Sequence, residues 1–223
     1  MGGASHDVLL AQTVVRIAAK CPRLVASCYW AGTSAIALEE LGHRQSFDLD
    51  FHTQEPLVDT RPVLTEIDRA FPRSLEIVRP PDAHGSGFTG LLKVSRREKL
   101  TLQVFGGFER VPERDLVRSA TAPRLRRVTV RRYLWDKVQC VVERIEARDL
   151  VDIAAVVRHA PRMQLTLRRA IATQDALLLA ERLLGWTDSA IREDLRAYAD
   201  VEPKDAIAMR DRLLRIVRSS RKG

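Results

Sequence analysis

Apolar positions recur at helix spacing over residues 7–20, where Leu10, Val14 and Ile17 fall on one stripe. The pattern then changes. Residues 24–30 read as a strand, Ala31-Gly32-Thr33-Ser34 as a tight turn of small residues, and residues 35–41 as a short helix. Gly32 permits a backbone geometry that other residues resist, and Thr33 or Ser34 suits a helix N-cap. The run Ser46-Phe47-Asp48-Leu49-Asp50-Phe51 alternates with period two. It predicts a strand with Phe47, Leu49 and Phe51 turned to a core and both aspartates on the other face. A helix over 62–71 with proline in its first turn follows, then a strand over 74–79 and a Pro/Gly-rich loop over 80–87. Residues 88–95 and 100–105 read as strands joined by the charged turn Arg96-Arg97-Glu98-Lys99, with Gly106-Gly107 ending the hairpin. Residues 124–130 form a basic strand or lead-in. From Tyr133 onward strand signals vanish. Helices are predicted over 133–145, 148–159, 165–184, 188–198 and 203–219, punctuated by Pro161, Gly185-Trp186-Thr187 and Pro203. The division expected is an α/β domain over 1–130 and a helical domain over 131–223.

Composition adds bounds. A chain of 223 residues, 45% hydrophobic, makes one large or two small domains with an ordinary core. No apolar run approaches the roughly 20 residues that cross a bilayer, and Val8-Leu9-Leu10 is soon broken by Gln12 and Arg16, unlike a secretory segment. Cys21, Cys28 and Cys140 form no CxxC pair, which points to reduced thiols in a cytoplasm. A net charge of +8 favours polyanion partners such as RNA, although only six of the 37 basic residues are lysine, a bias that a GC-rich genome also produces. The basic tail from Arg215 to Lys222 suits RNA phosphate.

The candidate chemistry lies in the acid pair. Asp48 and Asp50 would project together, about 6.7 Å apart along the strand. Like charges so close repel, and a divalent ion with a taste for hard oxygen, Mg²⁺ or Mn²⁺, offsets that. A solvated strand face is the plainer alternative. The preceding turn opens a helix, whose N–H groups and partial positive charge suit phosphate, though an ordinary strand-to-helix turn looks the same. A phosphate cradle beside a metal-binding acid pair is the minimum equipment for nucleotidyl transfer.

These residues resemble a family. Trp30-Ala31-Gly32-Thr33-Ser34-Ala35 and Leu41-Gly42-His43-Arg44-Gln45-Ser46-Phe47-Asp48-Leu49-Asp50-Phe51 look like the front half of AbiEii/AbiGii-type nucleotidyltransferases, toxins of bacterial toxin–antitoxin and phage-defence systems in the polymerase-β-like superfamily. The family pattern is a Gly-Gly-Thr-Ala turn, a His-Arg, then Ser-x-Asp-x-Asp-Phe; here Ala31 replaces the first glycine. A second block, Asp136-Lys137 and then Arg144-Ile145-Glu146-Ala147-Arg148-Asp149-Leu150-Val151-Asp152, is similar to the family's Lys … Arg … Arg-Asp-x-x-Asp signature. The likeness covers residues 24–53 and 127–160.

The resemblance implies an α+β fold: a nucleotidyltransferase-type mixed sheet with flanking helices, then an all-helical C-terminal domain. It implies transfer of NMP from an NTP to an acceptor hydroxyl, foremost the 3′ end of tRNA, by a toxin with a cognate antitoxin. Asp48 and Asp50 would hold Mg²⁺ or Mn²⁺. Gly32, Thr33 and Ser34 would hold the β- and γ-phosphates, with Arg44 and Ser46 beside the acid pair. Lys137 would neutralise the triphosphate or the leaving pyrophosphate, and Asp149 would be an acid of the site. Superfamily members commonly carry a third carboxylate on a later strand. The matching position here is Gln103, an amide that cannot accept a proton. Either Asp149 or Asp152 supplies the missing charge, or one metal site is weak. Arg148 either pairs with Asp152 or, with Asp149, fixes the helical domain onto the sheet. A protein or aminoglycoside-like acceptor, and a decayed site that only binds nucleotide or RNA, remain the alternatives.

Overall fold

The computed structural model describes residues 3–107, 110–144 and 146–220. The chain divides into two compact units, Met1–Thr129 and Val130–Gly223.

The first unit opens with helix α1 (Gly3–Lys20) and a short helix α2 (Pro22–Ser27), which starts on proline. Strand β1 (Cys28–Ala31) runs into α3 (Gly32–Ile36), which continues as one π-helical turn, Ala37–Leu41. Then come β2 (Asp48–Thr53), α4 (Arg61–Ala70), β3 (Leu75–Arg79), β4 (Gly87–Lys93), β5 (Lys99–Phe105), β6 (Leu116–Arg118) and β7 (Arg126–Val128). The strands form one sheet in the order β3-β4-β5-β2-β1-β7-β6, so β2 lies in the middle. The β2–β5 and β1–β7 pairings are parallel and the others antiparallel. Leu49 and Phe51 on β2, Trp30 on β1 and Leu102 and Val104 on β5 pack on one face against Leu10, Val14 and Ile17 of α1 and Val63 and Ile67 of α4. The opposite face of β2 carries Asp48, Asp50 and His52, all half-buried.

Several expectations need correction. The strand read over 24–30 begins only at Cys28, because Pro22 starts a helix that takes in Leu24 and Val25. Phe47 is not in the core: it precedes β2, is half exposed and lies tilted against the His6 ring, centroids 4.2 Å apart. The helix after β1 begins at Gly32 with Ala31 as its N-cap residue, so neither Thr33 nor Ser34 caps it. Strand β6 had no sequence signal of its own.

The turn Ala37–Leu41 ends at Gly42, whose left-handed backbone returns its N–H to the Ala37 carbonyl. It presents two carboxylates to Arg127 of β7: Nε donates to Glu39 and Nη2 to Glu40. Glu39 also accepts the Ser119 hydroxyl and the backbone N–H groups of Ala120 and Thr121 at 3.0 and 2.9 Å. Burial alone would raise its pKa, but the donors outweigh burial and hold it below the usual glutamate range.

The second unit is helical: α5 (Val130–Glu143), α6 (Ala147–His159), α7 (Gln164–Ala172), α8 (Ala176–Gly185), α9 (Asp188–Asp194) and α10 (Pro203–Ser220). Residue 145, the expected end of the first of these helices, lies outside the described residues, as does the end of the basic tail. The single helix expected over 165–184 is two, because Asp175 accepts the N–H groups of Leu177 and Leu178 and starts α8 afresh. Among the described residues no helix is long and apolar enough to cross a membrane. All three cysteines are free thiols.

Arg127→Ala would leave Glu39 buried without its guanidinium, and is expected to cost about 3–5 kcal/mol in denaturant unfolding. Because the Glu39 carboxyl sits below its unfolded value, its contribution is present at neutral pH and is lost as pH falls below about 5. Glu39→Gln is therefore expected to flatten the acid limb of a stability–pH curve.

Candidate active site

β1 and β5 flank β2, and the register sets what stands beside the acid pair. Asp50 is level with Ala31 on one side and Gln103 on the other, and Asp48 is level with Thr101. Neighbouring strands lie about 4.8 Å apart, and residues paired across them share a face. Gln103 is thus the immediate neighbour of Asp50.

The turn after β1 closes over the same place. Gly32 has φ +71°, a left-handed conformation that strains any residue with a Cβ. Space demands glycine as well: a Cβ there would collide with Asp50 Oδ2 and stand 3.0 Å from its Cγ. The first helical residue after β1 and the second aspartate of β2 are therefore in direct apposition. Arg44, itself buried, donates through Nη2 to the Thr33 hydroxyl at 3.0 Å and through Nη1 to the Gln45 carbonyl at 3.1 Å. It fixes the linker between helix and β2 against the turn. Ser34 is fully buried and its hydroxyl accepts the Trp30 indole N–H at 3.0 Å, so its side chain braces the turn from inside. Ser46 is buried too, and its carbonyl accepts from His6 Nε2 at 3.0 Å. The carbonyl can only accept, so Nε2 carries the proton.

The structure thus brings Gly32, Thr33 and Arg44 together with Asp50, and sets Asp48 two residues before it on the same face. The donor set is two carboxylates with an amide oxygen alongside, hard ligands of the kind that suit Mg²⁺. No group of three or more His, Cys, Asp or Glu is placed to hold a metal among the described residues. The acids here number two, and an amide, Gln103, stands beside Asp50.

Lys137, Asp149, Asp152 and Arg148 belong to the second unit. The Lys137 ammonium is buried and lies 2.8 Å from Asp149 Oδ1 and 2.7 Å from Asp152 Oδ2, both fully buried. Asp149 and Asp152 are one helical turn apart, which lets both reach one cation. Arg144 completes the cluster, with Nη2 and Nε at 2.9 and 3.0 Å from the two Asp149 oxygens. Burial would lower the Arg144 pKa, but Asp149 outweighs that and raises it. Arg148 donates to Glu146 at 2.6 Å and to the Tyr198 hydroxyl at 3.3 Å. Asp149 is enclosed by two cations and has no exposure. Both of its oxygens are thus committed to Lys137 and Arg144. Arg144 went unassigned in the sequence, although it stands only five residues before the acid it binds.

No family model matches this chain, and no curated protein matches it in sequence. Solved structures do. A candidate nucleotidyltransferase from Helicobacter pylori is similar at a TM-score of 0.59 and 17% identity, covering 97% of this chain and 96% of its own. JHP933 from Helicobacter pylori is similar at a TM-score of 0.54 and 17% identity, covering 98% and 94%. MenT4, a nucleotidyltransferase toxin from Mycobacterium tuberculosis, is 18% identical over 86% of this chain and 68% of its own, at a TM-score of 0.45. The mixed seven-stranded sheet with flanking helices and C-terminal helices is a nucleotidyltransferase-like α+β fold.

Gly32→Ala meets both the left-handed φ and the Asp50 carboxylate, and is expected to cost about 1–3 kcal/mol in denaturant unfolding. Lys137→Met leaves two buried carboxylates with one cation fewer, and is expected to cost about 3–5 kcal/mol, read as a lowered melting temperature.

Proposed function

We propose that this chain is a metal-dependent nucleotidyltransferase that moves NMP from an NTP to an acceptor hydroxyl, with the 3′ end of tRNA as the acceptor. The observation that carries the reading is the apposition of Gly32 and Asp50: the aspartate pair and the bend that opens a helix occupy one place. Asp48 and Asp50 would hold Mg²⁺ or Mn²⁺, with the Gln103 oxygen beside them. The ion, when bound, neutralises charge on the phosphates and orients the reacting oxygens. Gly32 and Thr33 offer backbone N–H groups to the β- and γ-phosphates, and Arg44 keeps that backbone in place through Thr33. The attacking hydroxyl bonds to the α-phosphorus as the bond to the pyrophosphate oxygen breaks. Its proton cannot go to an amide, so a carboxylate of the pair or water receives it. Lys137 is assigned to the triphosphate on the family resemblance alone, with Asp149 and Asp152 holding its ammonium. The resemblance also suggests a toxin paired with an antitoxin, in a cytoplasm.

Gln103 favours a second reading, a site that binds nucleotide or RNA without turning it over. The two readings separate in one assay. Each labelled NTP is incubated with total tRNA and Mg²⁺, with and without EDTA. Transfer by the wild type, abolished by EDTA and reduced at least about 100-fold in Asp48→Asn and Asp50→Asn, is expected. Transfer by neither wild type nor variants, with nucleotide binding indifferent to Mg²⁺, rejects catalysis. Gln103→Glu adds the acid that the register places beside Asp50, and is expected to raise both Mn²⁺ affinity and the transfer rate.

A further inference from the structure

Within the helical unit, α7 and α10 enclose an open groove of about 500 Å³ lined by Gln164, Arg168, Arg212, Arg215, Ile216 and Ser219. That volume is within the range of ligand sites, roughly 300–1,000 Å³, but the lining is unlike an apolar pocket. Three of its six residues are arginines and two more carry a neutral polar group. Gln164 and Arg168 are four apart on α7; Arg212, Arg215 and Ser219 follow one another at spacings of three and four on α10. Each set is a single helical stripe. Other faces of these helices are committed to the core, through Leu167, Ala170 and Ile171 and through Leu213 and Val217. The stripes are therefore held in position while their charged ends face the groove.

Among the described residues no carboxylate lines the groove. Two other guanidinium groups of this unit do have acids, Arg210 with Asp188 and Asp211 and Arg158 with Asp205. Among the described residues the guanidinium groups of Arg168, Arg212 and Arg215 enter no ion pair and no side-chain hydrogen bond. Three like charges around one groove repel each other, and their interaction becomes favourable only when an anion enters. Guanidinium forks match phosphate oxygens two at a time. The Gln164 amide adds N–H donors that a phosphate or ribose accepts and an apolar partner would not, while the Ser219 hydroxyl already donates to the Ile216 carbonyl at 2.8 Å. Residues 130–223 as a whole carry 19 Lys and Arg against 14 Asp and Glu, so the field around the groove draws polyanions.

We propose that this groove is an RNA-backbone binding site that seats the acceptor by its phosphates. The choice of RNA over another polyanion rests on the transferase reading; the groove's affinity for phosphate does not. The test is therefore binding, not turnover. Total tRNA is titrated into the full chain carrying Asp48→Asn, without NTP, across a salt series. The triple variant Arg168→Ala/Arg212→Ala/Arg215→Ala in the same background is compared, together with an Arg→Lys triple variant. Removal of three phosphate contacts is expected to weaken binding about tenfold or more and to lower the slope of log affinity against log salt by about 2. The lysine variant is expected to keep most of the slope. An unchanged slope in a folded alanine variant overturns the proposal, whatever the enzyme does with NTP. Equal loss of binding to an acidic polypeptide, with tRNA binding retained, overturns it in favour of a protein partner. If the transfer assay fails while the groove still holds tRNA in this salt-dependent way, the groove stands and the transferase reading falls.

Discussion

The first unit is organised around one steric fact: a carboxylate fits against the bend after β1 only because position 32 lacks a side chain. Asp50 belongs to the central strand, and Gly32 begins the helix that leaves the neighbouring strand. The two are brought together by antiparallel pairing that ends level with Asp50, and the left-handed φ of Gly32 turns the chain across the carboxylate instead of away from it. Arg44 and Ser34 then hold the bend from its two sides, one through the Thr33 hydroxyl and one through the Trp30 indole. The sheet thus supplies direction, the glycine supplies closeness, and two buried polar contacts supply rigidity.

Both units solve the problem of a buried carboxylate in the same way. Glu39 is satisfied by a guanidinium, a hydroxyl and two backbone N–H groups. Asp149 is satisfied by an ammonium and a guanidinium. A buried charge that loses one partner destabilises strongly, whereas a complete set is close to neutral in net energy. Such clusters therefore do more to specify which elements meet than to deepen stability. Glu39 joins the π-helical turn to β7, and Lys137 joins α5 to α6. The thiols follow the opposite logic. Cys21 is pushed up to about 12 by burial, with the Glu66 charge adding to it, and Cys28 is pushed up to about 11 by burial. Both are packing groups that remain protonated at neutral pH.

Local chemistry made half of this legible beforehand. The period-two run through Asp48 and Asp50 and the small-residue bend at Gly32 are encoded within a few residues, so the alternation and the glycine announced themselves. Asp149 and Asp152, three apart, announced a shared side in the same manner. What escaped reading depends on distant partners. Arg127 and Glu39 are 88 positions apart, and nothing in the basic run Arg124-Leu125-Arg126-Arg127 says that one of its guanidinium groups is buried. β6 is three residues long and exists by pairing with β7. Phe47 fits the alternation on paper, but β2 starts one residue later and its ring finds His6 instead. The break between α7 and α8 turned on Asp175 competing for backbone N–H groups, a contest that helical periodicity does not register.

The amide at position 103 bears on how the acid pair operates. A third carboxylate beside Asp50 would add to the repulsion between Asp48 and Asp50 and would tighten the hold on a cation in the empty protein. An amide oxygen is a weaker, neutral ligand, so the pair alone carries two negative charges, enough to balance one divalent ion. A nucleotide's phosphates would then have to contribute the remaining ligands. If the pair holds a divalent ion as proposed, metal and nucleotide would bind with positive coupling, since each would complete the other's coordination and charge balance. Such a site would differ from a weakened three-acid site in what it responds to: its metal affinity would depend on a phosphate next to Gly32, not on the acids alone.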